Sequence, residues 1–266
     1  YHRVGGRGGD FLGAGPLDRL RSRVQAAYYR RRMERAYRRA AAVVAVSDET
    51  ARVLSREAGL SPAKTVVVPE GADSVLLPPP TASPRRVDRL LVVSALAPYK
   101  NLERVLEVYA ALRRDRPALE LTIAGSDWRG YRSLLESRAA RLGLPPPRIE
   151  EQVGPARLAE LYSTSRLLLH LSSCESFGLP IVEAMRYGLP VVAAARSSLP
   201  EVAGGAARLV DPDDVAAVAA AAGELLGSEE AWNALVASGA ARAASLRWSD
   251  TAAGIASVLR RVAARG

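Results

Sequence analysis

Two glutamates, Glu175 and Glu183, lie on either side of a glycine in the segment Glu-Ser-Phe-Gly-Leu-Pro-Ile-Val-Glu. The apolar run 168–171 predicts a buried strand before them, and 180–187 predicts a helix. A strand that leads into a helix through a glycine-bearing loop directs backbone N–H groups and the positive end of the helix dipole toward a ligand. Gly178 allows that ligand to approach the backbone closely. The chemistry expected here is anion binding beside two carboxylates.

The two carboxylates suggest what else the ligand carries. Ionised carboxylates are strong acceptors for sugar hydroxyl groups, and a diphosphate suits a helix start. Taken singly, each glutamate also has a common structural explanation, because a carboxylate near a helix start is stabilised by the dipole and a helical glutamate often faces solvent. Taken together, the pair and the turn favour a nucleotide-sugar site.

The composition is that of a folded domain. The 266 residues suffice for one large domain, or for one full domain and part of another. A hydrophobic content of 48% excludes a disordered chain. Cys174, the single cysteine, excludes an internal disulfide and is typical of a reducing compartment. Since no base neighbours Cys174 in the sequence, we interpret it as a small loop residue rather than a nucleophile.

The net charge of +9 is concentrated in a predicted helix, Arg19–Arg39, where Glu34 is the single acid. Three interpretations stay open: a solvated face, a nucleic-acid surface, or a docking site for an anionic membrane surface. Nucleic acid is disfavoured because no recognition motif accompanies the charge. The helical spacing of apolar residues makes this a basic amphipathic helix; these residues are Leu17, Leu20, Val24, Tyr28, Met33 and Tyr37.

Strands and helices alternate from Leu90 onward, which predicts an α/β fold with a parallel, doubly wound sheet. The predicted strands are 90–95, 119–124, 149–153, 167–171, 190–194 and 207–210, and the predicted helices are 102–113, 131–142, 157–163, 180–187, 213–226 and 249–264. Before the proline-rich stretch 78–84, strands at 41–46 and 65–68 enclose a helix that starts after Ser47.

The segment SSCESFGLPIVEAMRYGLPVVAA, followed by SSLPEVAGGAARLVDPDD, resembles the donor-binding signature of family 4 retaining glycosyltransferases with the GT-B fold. The shared features are the two glutamates with seven residues between them, the F-G-L-P turn and the E-A-M, G-L-P-V-V, L-P-E-V and D-P-x-D blocks. The blocks LVVSALAPYKNLERVLEVYAAL, VVAVSDETARVL, VVVPEGAD and LRWSDTA extend the resemblance over nearly the whole chain. It implies a doubly wound, Rossmann-like donor domain preceded by a Rossmann-like acceptor domain.

The resemblance also implies roles for individual residues. Glu175 contacts the transferred sugar, Glu183 holds the ribose hydroxyls, and Lys100 binds phosphate. The family often has an arginine where this chain has Ala95, and Arg196 could supply part of that charge. The other implied donor-binding residues are Phe177, Gly178, Leu179, Glu201 and Gly125, with Glu201 supporting the donor loop.

No metal or other cofactor is expected, because enzymes of this fold stabilise the departing diphosphate with cationic side chains and helix termini. Asp211-Pro-Asp213 imitates a metal-binding D-x-D motif, but its place before an alanine-rich helix favours helix capping. His2 is the third catalytic candidate, because it lies roughly where the family carries a histidine facing the reacting sugar, although its neighbours do not match the family pattern well. His170 is interpreted as a packed or hydrogen-bonded residue beside the site.

The predicted organisation is a partial acceptor-side domain at 1–78, a linker at 79–88, a donor domain at 89–245 and a helix at 246–266 that crosses back to the first domain. The family's opening strands and glycine-rich loop have no counterpart in this sequence. We therefore expect a truncated or split enzyme that binds a nucleotide sugar but does not transfer it alone.

The predicted function is a cytoplasmic, metal-independent, retaining glycosyltransferase. It would move a sugar from a UDP- or GDP-linked donor to a polysaccharide, oligosaccharide or lipid-linked acceptor, and a peripheral position on the inner face of the cell membrane is an open alternative. The YKN and SSCESFGLP blocks most resemble bacterial surface-polysaccharide enzymes, often mannosyltransferases. Two alternatives stay open: the donor-binding subunit of a split enzyme, and a nucleotide-sugar epimerase of GT-B architecture.

Overall fold

The computed structural model of the chain describes residues 16–73, 85–127 and 130–264. His2 and most of the predicted linker, including the proline-rich stretch 78–84, lie outside the described residues. In the order of the chain, the strands are β1 (Val43–Ala45), β2 (Thr65–Val67), β3 (Arg89–Val93), β4 (Glu120–Ala124), β5 (Arg148–Glu150), β6 (Leu167–His170), β7 (Val191–Ala194) and β8 (Arg208–Val210).

The main sheet is parallel throughout, and its six strands have the order β5-β4-β3-β6-β7-β8. The chain moves outward from β3 to β5 and then returns to place β6 on the other side of β3. The switch point of this doubly wound sheet therefore lies between β3 and β6, where ligands of such folds collect. The predicted α/β fold class is confirmed.

Helices cover both faces of this sheet. They are α3 (Leu102–Arg113), α4 (Tyr131–Arg141), α5 (Pro155–Thr164), α6 (Leu179–Arg186), α7 (Leu199–Ala203), α8 (Val215–Gly227) and α9 (Glu229–Ala244). Adjacent residues of a strand face opposite sides, so Leu90 belongs to the core under α3 and α8 while Leu91 belongs to the core under α5 and α6. Burial on both faces explains why the strands are continuous apolar runs.

A smaller unit precedes the main sheet. Strands β1 and β2 pair in parallel, and α2 (Asp48–Ala58) packs on them through a core of Ala45, Leu54 and Leu60. The final helix, α10 (Trp248–Ala263), returns to this unit, because Thr251 donates a hydrogen bond to the carbonyl of Pro69 (2.8 Å). This contact agrees with a last helix that crosses back to the first domain, and the predicted domain organisation stays a prediction.

The basic helix is also present, as α1 (Pro16–Arg39). Its described apolar side chains are largely exposed rather than packed: Val24 is 62% exposed, Tyr28 56% and Met33 47%. Tyr37, in the last turn of the helix, packs against the core of the smaller unit. Within the described ranges, no helix is long and apolar enough to cross a membrane.

Two helices of the main domain were not predicted. α7 is short, and α9 is an alanine-rich helix whose apolar and polar residues do not separate cleanly into two faces, so its periodicity is weak. α9 nevertheless packs closely on α6, since a Cβ at Gly239 would lie only 3.1 Å from Met185 Cγ. Predicted boundaries differ by a few residues elsewhere, most clearly at β5, which ends at Glu150 rather than near 153.

Candidate active site

Lys100 and Glu175 meet at the switch point of the sheet. Lys100 follows β3 at the end of a short 3-10 turn, and Glu175 lies in the loop after β6. The Lys100 Nζ atom lies 2.5 Å from Glu175 Oε1, and both side chains are largely buried, at 11% and 14% exposed. His170, the last residue of β6, places Nε2 2.9 Å from the same oxygen. The expectation that His170 is a hydrogen-bonded residue beside the site is confirmed.

The Glu175 carboxyl is strongly stabilised in its ionised form. Burial by itself would raise its pKa, but the hydrogen bonds and charges of His170 and Lys100 outweigh burial and lower the pKa from 4.5 to about 2. The stability that this carboxylate contributes is therefore present above its ordinary pKa and is lost as the pH falls toward 2. At neutral pH the site holds a negative charge beside a lysine.

Side-chain hydroxyls hold three successive carbonyls of the Glu175 loop. Ser197 Oγ donates to the Glu175 carbonyl (2.7 Å) and accepts from the Glu175 N–H (3.1 Å). Ser198 Oγ lies within hydrogen-bonding distance of the Glu175 and Phe177 carbonyls, at 3.0 and 2.9 Å. The Ser176 carbonyl between them accepts from Ser47 (2.7 Å) and Thr50 (2.9 Å) of the smaller unit. The loop is therefore fixed from both units.

The loop ends at the start of α6. Gly178 has φ +107°, a left-handed value that favours glycine, and a Cβ at this position would lie 2.6 Å from Leu199 Cδ2. Within the described part of the chain, no side chain caps this helix start. The positive end of the α6 dipole is therefore not neutralised by a capping carboxylate, which suits an anionic ligand.

Glu183 lies one turn inside α6 and is 7% exposed. Its Oε2 accepts a hydrogen bond from the hydroxyl of Tyr162 (2.8 Å), which is fully buried on α5. Burial raises the pKa of Glu183, and the Tyr162 hydrogen bond opposes that rise. The two glutamates therefore differ: Glu175 is held by two basic groups, whereas Glu183 is a desolvated carboxylate oriented by a neutral donor.

A cavity of about 240 Å³ opens beside Glu175, between α2 and the main domain. Glu49, Thr50 and Arg56 line it from α2, and Ser173 and Arg196 are among the residues that line it from the other side. Hydroxyl groups and charges of both signs thus surround a space next to the buried Lys100–Glu175 pair. A polar, hydroxylated ligand fits this lining.

Comparison with known proteins decides the family. A family model described as Glycosyl transferases group 1 matches residues 78–242, which is more than half of the chain, and a model described as Glycosyltransferase Family 4 matches residues 14–75. The chain belongs to the group 1 glycosyltransferases. The first match contains every element of the main sheet and both glutamates of the site.

Individual relatives agree with this membership. The O-antigen chain mannosyltransferase B of Escherichia coli is 28% identical over 166 residues, which are 60% of this chain and 42% of that protein. The chain thus spans less than half of this curated relative. A sucrose-phosphate synthase from Thermosynechococcus elongatus superposes with a TM-score of 0.76 at 24% identity, covering 96% of this chain and 65% of that one. Anabaena Alr3699/HepE, solved with UDP and glucose, superposes with a TM-score of 0.73 at 22% identity. This match covers 92% of this chain and 67% of that one. These likenesses establish the GT-B fold.

Arg196 of this group 1 glycosyltransferase is engaged by two carboxylates. Its guanidinium lies 2.8 Å from Asp211 and 2.7 Å from Asp213, so its charge is partly neutralised. The capping role predicted for the Asp211–Asp213 motif is wrong, because Asp214 caps α8 by accepting from the N–H of Ala217. Among the described residues, no group of three or more His, Cys, Asp or Glu is placed to hold a metal.

Glu201 contacts the smaller unit. Its two carboxylate oxygens accept from the backbone N–H groups of Asp48 (2.8 Å) and Glu49 (3.0 Å), in the first turn of α2. Sequence reasoning assigned Glu201 to support of the donor loop, and in the structure its carboxylate joins the two units. A donor-binding role for Glu201 stays a prediction.

The remaining predicted donor-binding residues occupy positions with clear structural reasons. Phe177 is buried in the core under α6, and Leu179 is the first residue of α6. A Cβ at Gly125 would lie 1.8 Å from the Ser94 carbonyl, so the close approach of the chain after β3 and β4 requires glycine there. Cys174 lies at the site, but burial raises the pKa of its thiol, which does not favour a nucleophile.

Sequence reasoning missed the hydroxyl groups that hold the Glu175 loop. Ser197 and Ser198 lie beside the L-P-E-V block, and Ser47 and Thr50 lie within the S-D-E-T helix start, so both pairs were inside recognised motifs. Ser47 was assigned to helix capping, which is confirmed, since it accepts from the N–H of Thr50. Its second partner could not be predicted because Ser176 is 129 positions away.

Proposed function

We propose that this chain binds a nucleoside diphosphate sugar and acts in transfer of the sugar, with retention of configuration and without a metal, to a glycan or lipid-linked acceptor. The observation that carries the proposal is the buried Lys100–Glu175 pair at the switch point, next to the uncapped start of α6. Family membership supports the reaction class.

The diphosphate would lie between Lys100 and the start of α6. A buried cation and a helix dipole stabilise negative charge that develops on a leaving diphosphate, because both are fixed before the reaction begins. These two groups supply the role that a metal ion has in other transferases. We assign the nucleotide's ribose hydroxyls to Glu183, whose carboxylate is oriented by the buried Tyr162.

The transferred sugar would contact Glu175. A carboxylate that stays ionised at neutral pH can accept hydrogen bonds from sugar hydroxyls and stabilise positive charge at the anomeric carbon. Retention follows if the acceptor hydroxyl attacks from the face that the leaving diphosphate occupies, through an oxocarbenium-like state. We favour this route over a covalent intermediate, since the Glu175 carboxylate is already held by the hydrogen bond with His170.

The sugar and the acceptor are proposed from the relatives. The Escherichia coli relative is named as an O-antigen chain mannosyltransferase, which supports a mannosyl donor and a role in bacterial polysaccharide biosynthesis. The Anabaena structure contains UDP and glucose, which supports a UDP-linked donor as the alternative. The donor-binding subunit of a split enzyme differs from this proposal only in needing a partner chain for transfer.

Glu183→Gln should weaken the binding of free nucleoside diphosphates about tenfold or more. Charge-assisted hydrogen bonds contribute roughly 1.5–3 kcal/mol, and the glutamine has lost the charge. The measurement is calorimetry of the chain with UDP, GDP and ADP and with the corresponding nucleotide sugars. The same calorimetry shows which nucleotide base the chain prefers, and it tests the proposed function directly.

Glu107→Gln is the control, because it makes the same chemical change at a partly buried carboxylate on α3, which pairs with Arg104 and Arg138. It should leave nucleotide binding unchanged. Failure of every nucleotide sugar to bind the unmodified chain would overturn the proposed function. Conversion of a bound donor to its epimer without an acceptor would favour the epimerase.

A membrane surface is the second proposed partner, consistent with a lipid-linked acceptor and a position at the inner face of the cell membrane. α1 exposes Tyr28, Tyr29 and Met33 beside its arginines. Aromatic side chains suit the interface of a bilayer, and arginines suit anionic head groups. A nucleic-acid surface stays the disfavoured interpretation of this charge.

Replacing Arg31 and Arg35 of α1 with alanine should weaken binding to vesicles about tenfold or more, since each basic residue near an anionic surface contributes about 1 kcal/mol. Co-sedimentation with phosphatidylcholine vesicles, with and without phosphatidylglycerol, measures this. The Arg260→Ala/Arg261→Ala variant of α10 removes the same charge from another exposed helix. Equal losses in both variants would mean that net charge, not α1, attracts the vesicles.

A further inference from the structure

The N-terminus of α2 contacts the main domain through two sets of hydrogen bonds. In one, the hydroxyls of Ser47 and Thr50 both donate to the carbonyl of Ser176, at 2.7 and 2.9 Å. In the other, Glu201 accepts from the N–H groups of Asp48 and Glu49. We call this set the α2 contact. It joins the smaller unit to the residue that immediately follows Glu175.

We propose that the α2 contact positions the Glu175 carboxylate, so that Ser47, Thr50 and Glu201 are positioning residues for the reaction. The inference rests on the proposed function. It assigns to the smaller unit a task beyond acceptor binding: the unit sets the geometry of the loop that holds the transferred sugar.

Burial argues that this contact is specific. Ser47 is fully buried and Thr50 is 7% exposed, although Ser176 itself lies at the surface. Ser47 also caps α2 by accepting from the N–H of Thr50 (3.1 Å), so one hydroxyl links helix capping to the loop. Glu201 accepts from two further N–H groups in the first turn of α2, where N–H groups have no partner within the helix. Its negative charge also interacts favourably with the positive end of the α2 dipole.

The division of partners along the loop shows what α2 controls. The carbonyls of Glu175 and Phe177 are held by Ser197 and Ser198, which belong to the main domain. The intervening carbonyl, of Ser176, is held by hydroxyls of the smaller unit. A change in how the two units sit would therefore act first on the Ser176 carbonyl. Because Ser176 is bonded directly to Glu175, we infer that loss of its two partners loosens the loop backbone and widens the range of positions open to the Glu175 carboxylate.

A second connection runs through Glu201. It lies in α7, which begins at Leu199, directly after Ser197 and Ser198. The N-terminus of α2 thus contacts the short segment that carries the other two hydroxyl groups of the loop. Both routes lead to the backbone around Glu175, and neither includes Lys100 or Glu183. Binding of the free nucleoside diphosphate should therefore be independent of the α2 contact.

The test compares Thr50→Val with Thr50→Ser, which keeps the hydroxyl. A nucleotide sugar should bind more tightly than its nucleoside diphosphate, and Thr50→Val should reduce this sugar-dependent gain in affinity about five- to tenfold. The same variant should lower the turnover of the bound donor by a similar factor. The affinity for the nucleoside diphosphate alone should stay within about twofold, and Thr50→Ser should restore both lost quantities. Thr65→Val is the control, because it removes a hydroxyl that donates to a carbonyl within the smaller unit.

Glu201→Gln serves as an independent variant if Thr50→Val does not fold, and it should show the same selective loss. An unchanged sugar-dependent gain in either variant would overturn the inference while leaving the proposed function intact. An equal loss of nucleoside diphosphate affinity would also overturn it, since that outcome indicates general damage to the domain. If the unmodified chain binds no nucleotide sugar, the proposed function fails and this inference fails with it.

Discussion

Replacing Glu175 with glutamine should lower the turnover of a bound nucleotide sugar by about a hundredfold or more, while the free nucleoside diphosphate binds as well as before or slightly better. The first effect is expected because a fixed charge that stabilises a transition state in a buried site contributes roughly that factor. The second follows from the 2.5 Å contact with Lys100. Without the carboxylate, Lys100 is free to pair with phosphate.

The measurement combines calorimetry with release of nucleoside diphosphate from the donor, with and without an acceptor glycan. Glu107→Gln is again the control: it makes the same chemical change at a carboxylate that is 17% exposed and paired with two basic groups, compared with 14% for Glu175. If Glu175→Gln instead weakens nucleoside diphosphate binding as strongly as Glu183→Gln does, the division between sugar and ribose is wrong.

Local pattern was sufficient to predict the site's framework. The apolar run before Glu175 forms a strand because both faces of a parallel sheet are buried, and Gly178 marks a turn because its φ of +107° disfavours other residues. The spacing of the two glutamates then follows from one loop and one helical turn. These are properties of residues that are close in the sequence, so they do not depend on contacts with distant parts of the chain.

The contacts between side chains could not be predicted in the same way. Lys100 was assigned to phosphate and Glu175 to sugar, yet in the structure they bind each other across 75 positions of sequence. Arg196 was expected to supply positive charge to the phosphates. In the structure it pairs instead with two aspartates in the loop that follows β8. In each case the partner depends on strand order, which motif spacing does not encode. The proposed roles therefore require these ion pairs to rearrange when a donor binds.

Lys100→Ala should weaken nucleoside diphosphate binding about tenfold to hundredfold and weaken monophosphate binding much less. A charge-assisted hydrogen bond to phosphate is lost, which accounts for roughly 1.5–3 kcal/mol. A second contribution comes from Glu175, because its carboxylate loses a positive partner, its pKa rises, and its remaining negative charge repels the phosphate. Ala95 adds to the expected loss, since it contributes no charge at the position where the sequence resemblance implies an arginine.

The double variant Lys100→Ala/Glu175→Gln separates these two contributions. If repulsion by Glu175 matters, the double variant should bind the diphosphate more tightly than Lys100→Ala alone, and the difference is the coupling between the two residues. Lys64→Ala is the control, because Lys64 is the chain's other lysine and donates to backbone carbonyls in the smaller unit. Equal losses for mono- and diphosphate would exclude Lys100 as the diphosphate contact. Additive effects in the double variant would mean that the ion pair seen at the switch point does not influence donor binding.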